Sequence, residues 1–172
     1  MPLRIGVDLG GTKIEGVVLD DASGQVLARE RVATESARGY DHIVAAVAGL
    51  VARLEASHPG CASVGIGTPG AISSRTGLMK NSNTTCLNGR DLPGDLARTM
   101  GRPLLVENDA NCFALAEARH GAGRDGRRRR GLRRRLRPAG RLAIDDVVAF
   151  SNGDAARGRD DMIDGDEAQR AG

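Results

Sequence analysis

The sequence predicts an α/β fold built on a mixed sheet. Two observations carry this: apolar residues alternate with polar ones near the start, and from Tyr40 the apolar spacing changes to that of a helix. A third is punctuation, because each later apolar run is short and closed by Gly, Pro or an Asn/Asp cluster, as strands and helices in alternation require.

Each element can be justified in turn. Leu3, Ile5, Val7 and Leu9 alternate with Arg4, Gly6 and Asp8, the period of a strand with one face on a core, and Gly10-Gly11-Thr12 breaks the pattern. A second strand runs from Ile14 to Leu19. Asp20 to Gly24 has turn chemistry, and a third strand follows from Gln25 to Ala33. Short turns between three strands predict an antiparallel meander. Tyr40, Ile43, Val44, Val47, Leu50, Val51 and Leu54 then mark one apolar face of a helix, ended by Pro59-Gly60. Ala62 to Gly67 reads as a short apolar strand, stopped by Thr68-Pro69-Gly70.

Residues 71 to 90, rich in Ser, Thr, Asn and Gly, read as a surface hairpin or loop. A short helix comes next, with Asp91 as N-cap, Pro93 in its first turn, Leu92, Leu96 and Met100 on one side and Gly101 at its end. Pro103 to Val106 is another short strand, and Asn108 or Asp109 caps a helix that reaches about His120, with Gly121 as its stop.

Composition bounds the rest. The 172 residues suffice for one ordinary domain, and with 2% aromatic residues against 40% apolar ones its core must be aliphatic. No apolar run approaches the ~18 residues of a membrane span, and Met1 to Arg4 lead straight into a strand pattern, so no membrane association and a cytoplasmic location are expected. Cys61, Cys86 and Cys112 are odd in number and widely spaced. They read as ordinary buried or half-buried thiols, with neither a disulfide framework nor a zinc site.

Three polar clusters fall where strands end. In Asp8-Leu9-Gly10-Gly11-Thr12-Lys13 two glycines allow a tight bend close to a bulky anion, and exposed N–H groups and the Thr12 hydroxyl can donate to phosphate oxygens. Asp8 could hold a hydrated Mg²⁺ there, although a plain Gly-Gly hairpin reads equally well. The second cluster joins Gly65 to Gly70 with the run Lys80 to Gly89, whose amides and hydroxyls suit a polyhydroxylated ligand or a loop that caps its own backbone. In the third, Glu107-Asn108-Asp109-Ala110-Asn111, a carboxylate at a strand's carboxyl end can accept a proton from an alcohol, or Asp109 can serve as an N-cap.

Taken in order, Asp-Leu-Gly-Gly-Thr-Lys, Gly-Thr-Pro-Gly, Lys-Asn-x-Asn-x-x-x-Leu-Asn-Gly and Glu-Asn-Asp-Ala-Asn-Cys resemble the N-terminal half of the ROK family of sugar kinases over about residues 3 to 126. The Leu87-Asn88-Gly89 region and the run Asn108 to Glu117 are most similar to its fructokinase and N-acetylglucosamine kinase branch. The resemblance implies an actin-like, ribonuclease H-like ATPase fold, ATP and Mg²⁺ as cofactors, and a small sugar as partner. It further implies that Asp8, Gly10, Gly11, Thr12 and Lys13 hold phosphate, with Asp8 on Mg²⁺ through water. Gly70, Asn83, Asn108 and Asp109 would meet the sugar, and Asp109 would be the catalytic base. It leaves room for a homodimer in intact relatives. The family's repressors carry a helix-turn-helix before the first strand, and a strand pattern starting at Leu3 argues against that branch.

The family pattern stops at Arg124-Asp125-Gly126. Complete relatives continue into a buried strand and a second phosphate motif of Gly-Thr-Gly type, where this chain has nine Arg and no acid over residues 127 to 142. Residues 1 to 126 carry a net charge of −1, and residues 143 to 172 hold eight acids against three Arg, so the overall +3 comes from the Arg block alone. Such a block repels itself, and the expectation is an N-terminal lobe over residues 1 to 126 followed by a disordered tail over 127 to 172. Because 23 of the 25 basic residues are Arg, the tail reads as a shifted frame in a GC-rich gene. Weak or absent activity is the corresponding expectation for this chain, with an inactive remnant as one alternative. A nucleic-acid partner for the Arg run is the other, disfavoured because the run has no aromatic residue for stacking.

Overall fold

The computed structural model describes residues 3–108. Asp109, Cys112, the predicted helix to His120, the Arg block and the tail lie outside the described residues.

Strands β1 (Leu3–Leu9), β2 (Lys13–Asp20) and β3 (Val26–Ala33) form the antiparallel meander. A short 3-10 turn, Ser36–Arg38, leads into helix α1 (Tyr40–Ser57). Strand β4 (Cys61–Thr68) then returns parallel to β1. A small hairpin of β5 (Ala71–Ile72) and β6 (Met79–Lys80), a 3-10 turn at Thr85–Leu87 and helix α2 (Leu92–Met100) precede β7 (Leu105–Asn108). The main sheet has the order β3-β2-β1-β4-β7, with β7 parallel to β4. The mixed sheet is therefore antiparallel on one side of β1 and parallel on the other, each parallel step made through a helix, as a crossover needs.

One face of this sheet carries the core. Ile5, Val7, Leu9, Ile14, Val18, Val64, Ile66 and Val106 pack with the apolar stripe of α1 and with Leu92 and Leu96 of α2. The seven buried residues of α1 are the seven picked out by helical spacing, Tyr40 to Leu54. Gly16 sits beneath that stripe: a Cβ there would come within 2.7 Å of Leu54 Cδ1, so the missing side chain lets helix and sheet approach closely. The Tyr40 hydroxyl donates to Asp95 Oδ2 at 2.6 Å and ties the start of α1 to α2. Burial, and then that bond, push the Tyr40 phenol up.

The caps of α2 follow the sequence. The Asp91 side chain accepts from the Gly94 N–H at 3.1 Å, and Gly101 takes the left-handed conformation at the other end with φ 65°. Strands β2, β3 and β4 differ from the expected bounds by one residue at one or both ends, and the last strand differs more, running from Leu105 to Asn108 rather than from Pro103 to Val106. Parallel pairing of Gly67 with Glu107 and of Thr68 with Asn108 carries it on, because backbone bonds are indifferent to the polarity of the side chains above them.

Candidate active site

Parallel pairing fixes the location of the site. Asp8 pairs with Gly67, and Gly67 with Glu107, so the carboxyl ends of β1, β4 and β7 lie side by side along one edge. Beyond them come Gly10 to Lys13, Thr68 to Gly70, and Asn108, which are the three polar clusters of the sequence. Open α/β sheets place their ligand crevice at this edge.

The Gly10–Lys13 turn is tight. The Gly10 N–H donates to the Lys13 carbonyl at 3.0 Å, and a Cβ on Gly10 would stand 2.8 Å from that same oxygen, a separation no side chain tolerates. Thr34, fully buried at the end of β3, holds the turn from below through its hydroxyl on the Gly10 carbonyl and its N–H on the Thr12 carbonyl. Gly10 thus shapes the turn with its own N–H already engaged, and the exposed Gly11, Thr12 and Lys13 present its outer surface.

Asp8 is half-buried on the same row as Glu15, its cross-strand partner in β2. Among the described residues no group of three metal-ligating side chains forms. A single half-buried carboxylate next to the Gly10–Lys13 turn would still suit Mg²⁺, which keeps most of its waters and takes one or two carboxylates plus substrate phosphates.

Glu15 is 1% exposed, and sequence reasoning missed it. Its two oxygens accept from Arg29 and Arg31 of β3, and the Lys13 ammonium stands 3.7 Å away. Burial alone would push its carboxyl up, but the hydrogen bond from Arg31 and the charges of Arg29 and Arg31 outweigh this and hold it below the usual glutamate range. The signal was available: one acid inside an otherwise apolar strand, opposite a strand with arginines two residues apart.

At the second cluster Gly70 has φ +98°, and a Cβ there would lie 2.7 Å from the Lys80 carbonyl and 2.9 Å from the Ser82 backbone. Its own carbonyl accepts from the Asn108 side-chain amide, which joins the ends of β4 and β7. The Asn108 N–H donates to Glu107 Oε1 at 2.9 Å. Asn83 is exposed between buried Ser82 and Thr84. Thr84 Oγ1 lies 3.7 Å from where a Cβ of Gly11 would stand, so this loop also abuts the Gly10–Lys13 turn. Gly70 is therefore bonded to Asn108 and packed on Ser82, which precedes Asn83, while Thr84, which follows it, lies beside Gly11; Asp109 follows Asn108 in the chain outside the described residues.

Comparison with known proteins agrees with the fold. The model of the ROK family matches residues 4–128. An N-acetyl-D-glucosamine kinase of Vibrio cholerae serotype O1 is 42% identical over 113 residues, covering 66% of this chain and 37% of that protein. Among solved structures, an inorganic polyphosphate/ATP-glucomannokinase from Arthrobacter sp. strain KM superposes with a TM-score of 0.60 at 37% identity, over 72% of this chain and 50% of the other. A ROK family glucokinase from Streptomyces griseus, solved with glucose and AMPPNP, gives 0.58 at 35% identity over 70% and 38%. The chain spans 37% of the length of the Vibrio relative.

Proposed function

The chain belongs to the ROK family, and on that premise we propose that it is part of an ATP-dependent sugar kinase, transferring the γ-phosphoryl group of ATP to a hydroxyl of a small sugar. The observation that carries the reading is the convergence of the Gly10–Lys13 turn, Gly70 and Asn108 at the carboxyl ends of three parallel strands. In this reading Gly11, Thr12 and Lys13 orient the phosphates, and Asp8 holds Mg²⁺ through water. Bound there, the ion would neutralise charge on the transferring group, and positioning supplies most of the catalysis in such reactions. Gly70, Asn83 and Asn108 line the sugar, and Asp109 accepts the hydroxyl proton as the oxygen attacks.

For the acceptor we favour an aldohexose or its N-acetylamino derivative over fructose, because the similar proteins are N-acetyl-D-glucosamine kinases, a glucomannokinase and a glucokinase. A cytoplasmic location accords with such a substrate, and no helix among the described residues is long and apolar enough to cross a membrane. The 37% coverage of the Vibrio relative favours a second inference, that these 172 residues alone bind more readily than they turn over.

The test is MgATP-dependent phosphorylation of N-acetylglucosamine, glucose, mannose and fructose in a coupled assay, beside calorimetric binding of each sugar and of MgATP. Asp109→Asn should lose at least ~10²-fold of any turnover while sugar binding persists, the usual scale for a general base. An unchanged rate would remove Asp109 from that role. A chain that bound neither sugar nor MgATP would overturn the kinase reading, and turnover at an ordinary enzymatic rate would overturn the second inference.

A further inference from the structure

We propose that Asn88 is a positioning residue for the acceptor sugar, acting through Asn83: its side-chain amide clamps Ser82 and so fixes the loop that presents Asn83. The inference rests on the sugar-kinase reading above.

The clamp has two points. Asn88 Oδ1 accepts from the Ser82 N–H at 2.9 Å, and Asn88 Nδ2 donates to the Ser82 carbonyl at 3.0 Å. A side-chain amide thereby pairs with both backbone groups of one residue, as a residue of a neighbouring strand would in a ladder, and it can do so because it carries donor and acceptor together. On the other side of Asn83, the Thr84 N–H donates to Ser82 Oγ at 3.2 Å. The backbone is held on both flanks of Asn83, with Ser82 5% and Thr84 6% exposed and Asn83 itself exposed at the apex.

The clamped segment is not isolated. The Ser82 backbone packs where Gly70 lacks a side chain, and the Gly70 carbonyl takes the Asn108 amide. Fixing Ser82 therefore fixes Asn83 relative to Gly70, in the turn after β4, and to Asn108, at the end of β7. Asn88 is exposed and no part of the apolar core, so its bonds act on the shape of this loop rather than on the fold as a whole. Residue types without a paired donor and acceptor cannot make both bonds. An unclamped polar loop must be ordered each time a ligand binds, and that cost appears as lost affinity.

The experiment uses the full 172-residue chain. Calorimetry with N-acetylglucosamine and glucose is run on wild type, N88A, N88D, N83A and N83A/N88A, with hydrogen exchange at the Ser82 amide and thermal melting alongside. Asn88→Ala should weaken sugar binding about ten-fold, speed exchange at Ser82 and leave the melting temperature nearly unchanged. Asn88→Asp, which keeps the acceptor and loses the donor, should fall between. Asn83→Ala should match the loss in N88A, and the double variant should lose little more, because both substitutions remove one function. Wild-type affinity in N88A, or losses that multiply in the double variant, would overturn the assignment of Asn88 alone. A wild-type chain that bound neither sugar would overturn the sugar-kinase reading, and this inference with it, before any substitution was compared.

Discussion

The Thr34 hydroxyl donates to the Gly10 carbonyl at 2.7 Å, joining the end of the meander, just past β3, to the Gly10–Lys13 turn. Thr34 is fully buried, so no water can replace it there. Thr34→Val keeps the shape, removes the donor and leaves the carbonyl without that bond, which costs about 1–2 kcal/mol. The expected result is a fall of roughly 5–10 °C in melting temperature for a domain of this size. MgATP affinity should fall with it, since the turn loses its support. A valine variant that melts with wild type would show that the bond contributes nothing to the turn.

Glu15 makes acid stability measurable. Its folded carboxyl lies below the ordinary value, so the unfolded chain binds the proton more readily. The stability it adds is fully present above the unfolded value of about 4.3 and is lost as pH falls through the lower, folded one. Glu15→Gln should therefore flatten the acid limb of a plot of melting temperature against pH, with its largest deficit near neutrality. The deficit should be about 3 kcal/mol, because Arg29 and Arg31 both lose the carboxylate they share. An acid limb as steep as that of wild type would assign the pH dependence to other carboxyls.

The two adjacent glycines of the Gly10–Lys13 turn make separable predictions. A Cβ on Gly10 would stand 2.8 Å from the Lys13 carbonyl, whereas one on Gly11 would meet only Thr84 Oγ1 at an ordinary 3.7 Å. Gly10→Ala must therefore shift backbone, at a cost of about 1–3 kcal/mol, while Gly11→Ala should fold like wild type. Gly11 is exposed, so under the proposed phosphate role its substitution should weaken MgATP binding at constant stability. Thermal melts and MgATP calorimetry on both variants separate shaping from contact, and equal melting losses would erase the distinction.

The fold was legible where side chains report burial. The Tyr40 to Leu54 spacing gave every buried position of α1, and Asp91, Pro93 and Gly101 marked the ends of α2. It was less legible where backbone or paired polar groups decide the outcome. Glu107 and Asn108 lie in β7 because Gly67 and Thr68 pair with them, and no apolar period marks that. Periodicity was equally blind to Glu15 and Thr34, since both are buried through partners distant in sequence. The candidate site was legible as ordered motifs, because glycine turns and amide-rich loops have characteristic composition. Their meeting at one edge depended on parallel pairing of β1, β4 and β7, which the sequence does not display.

Gly70 tests whether that meeting matters. Its φ of +98° already disfavours any side chain, and an added Cβ would press on Lys80 and Ser82 backbone rather than on a movable side-chain tip. Gly70→Ala must therefore displace the loop that carries Asn83 or the segment after β4 that offers its carbonyl to Asn108. Strain of both kinds together should cost about 2–4 kcal/mol. Because the apolar core is built mainly from the sheet face with α1 and α2 while Gly70 lies in the turn after β4, the variant should still fold at low temperature with its helices intact. Sugar affinity should then fall by more than ten-fold while MgATP affinity changes little, the turn at Gly10 being held separately by Thr34. Circular dichroism below the melting transition checks the fold, and calorimetry with each ligand checks the split. Parallel loss of both affinities in a folded variant would mean that Gly70 supports the whole edge of the sheet rather than the sugar side of it.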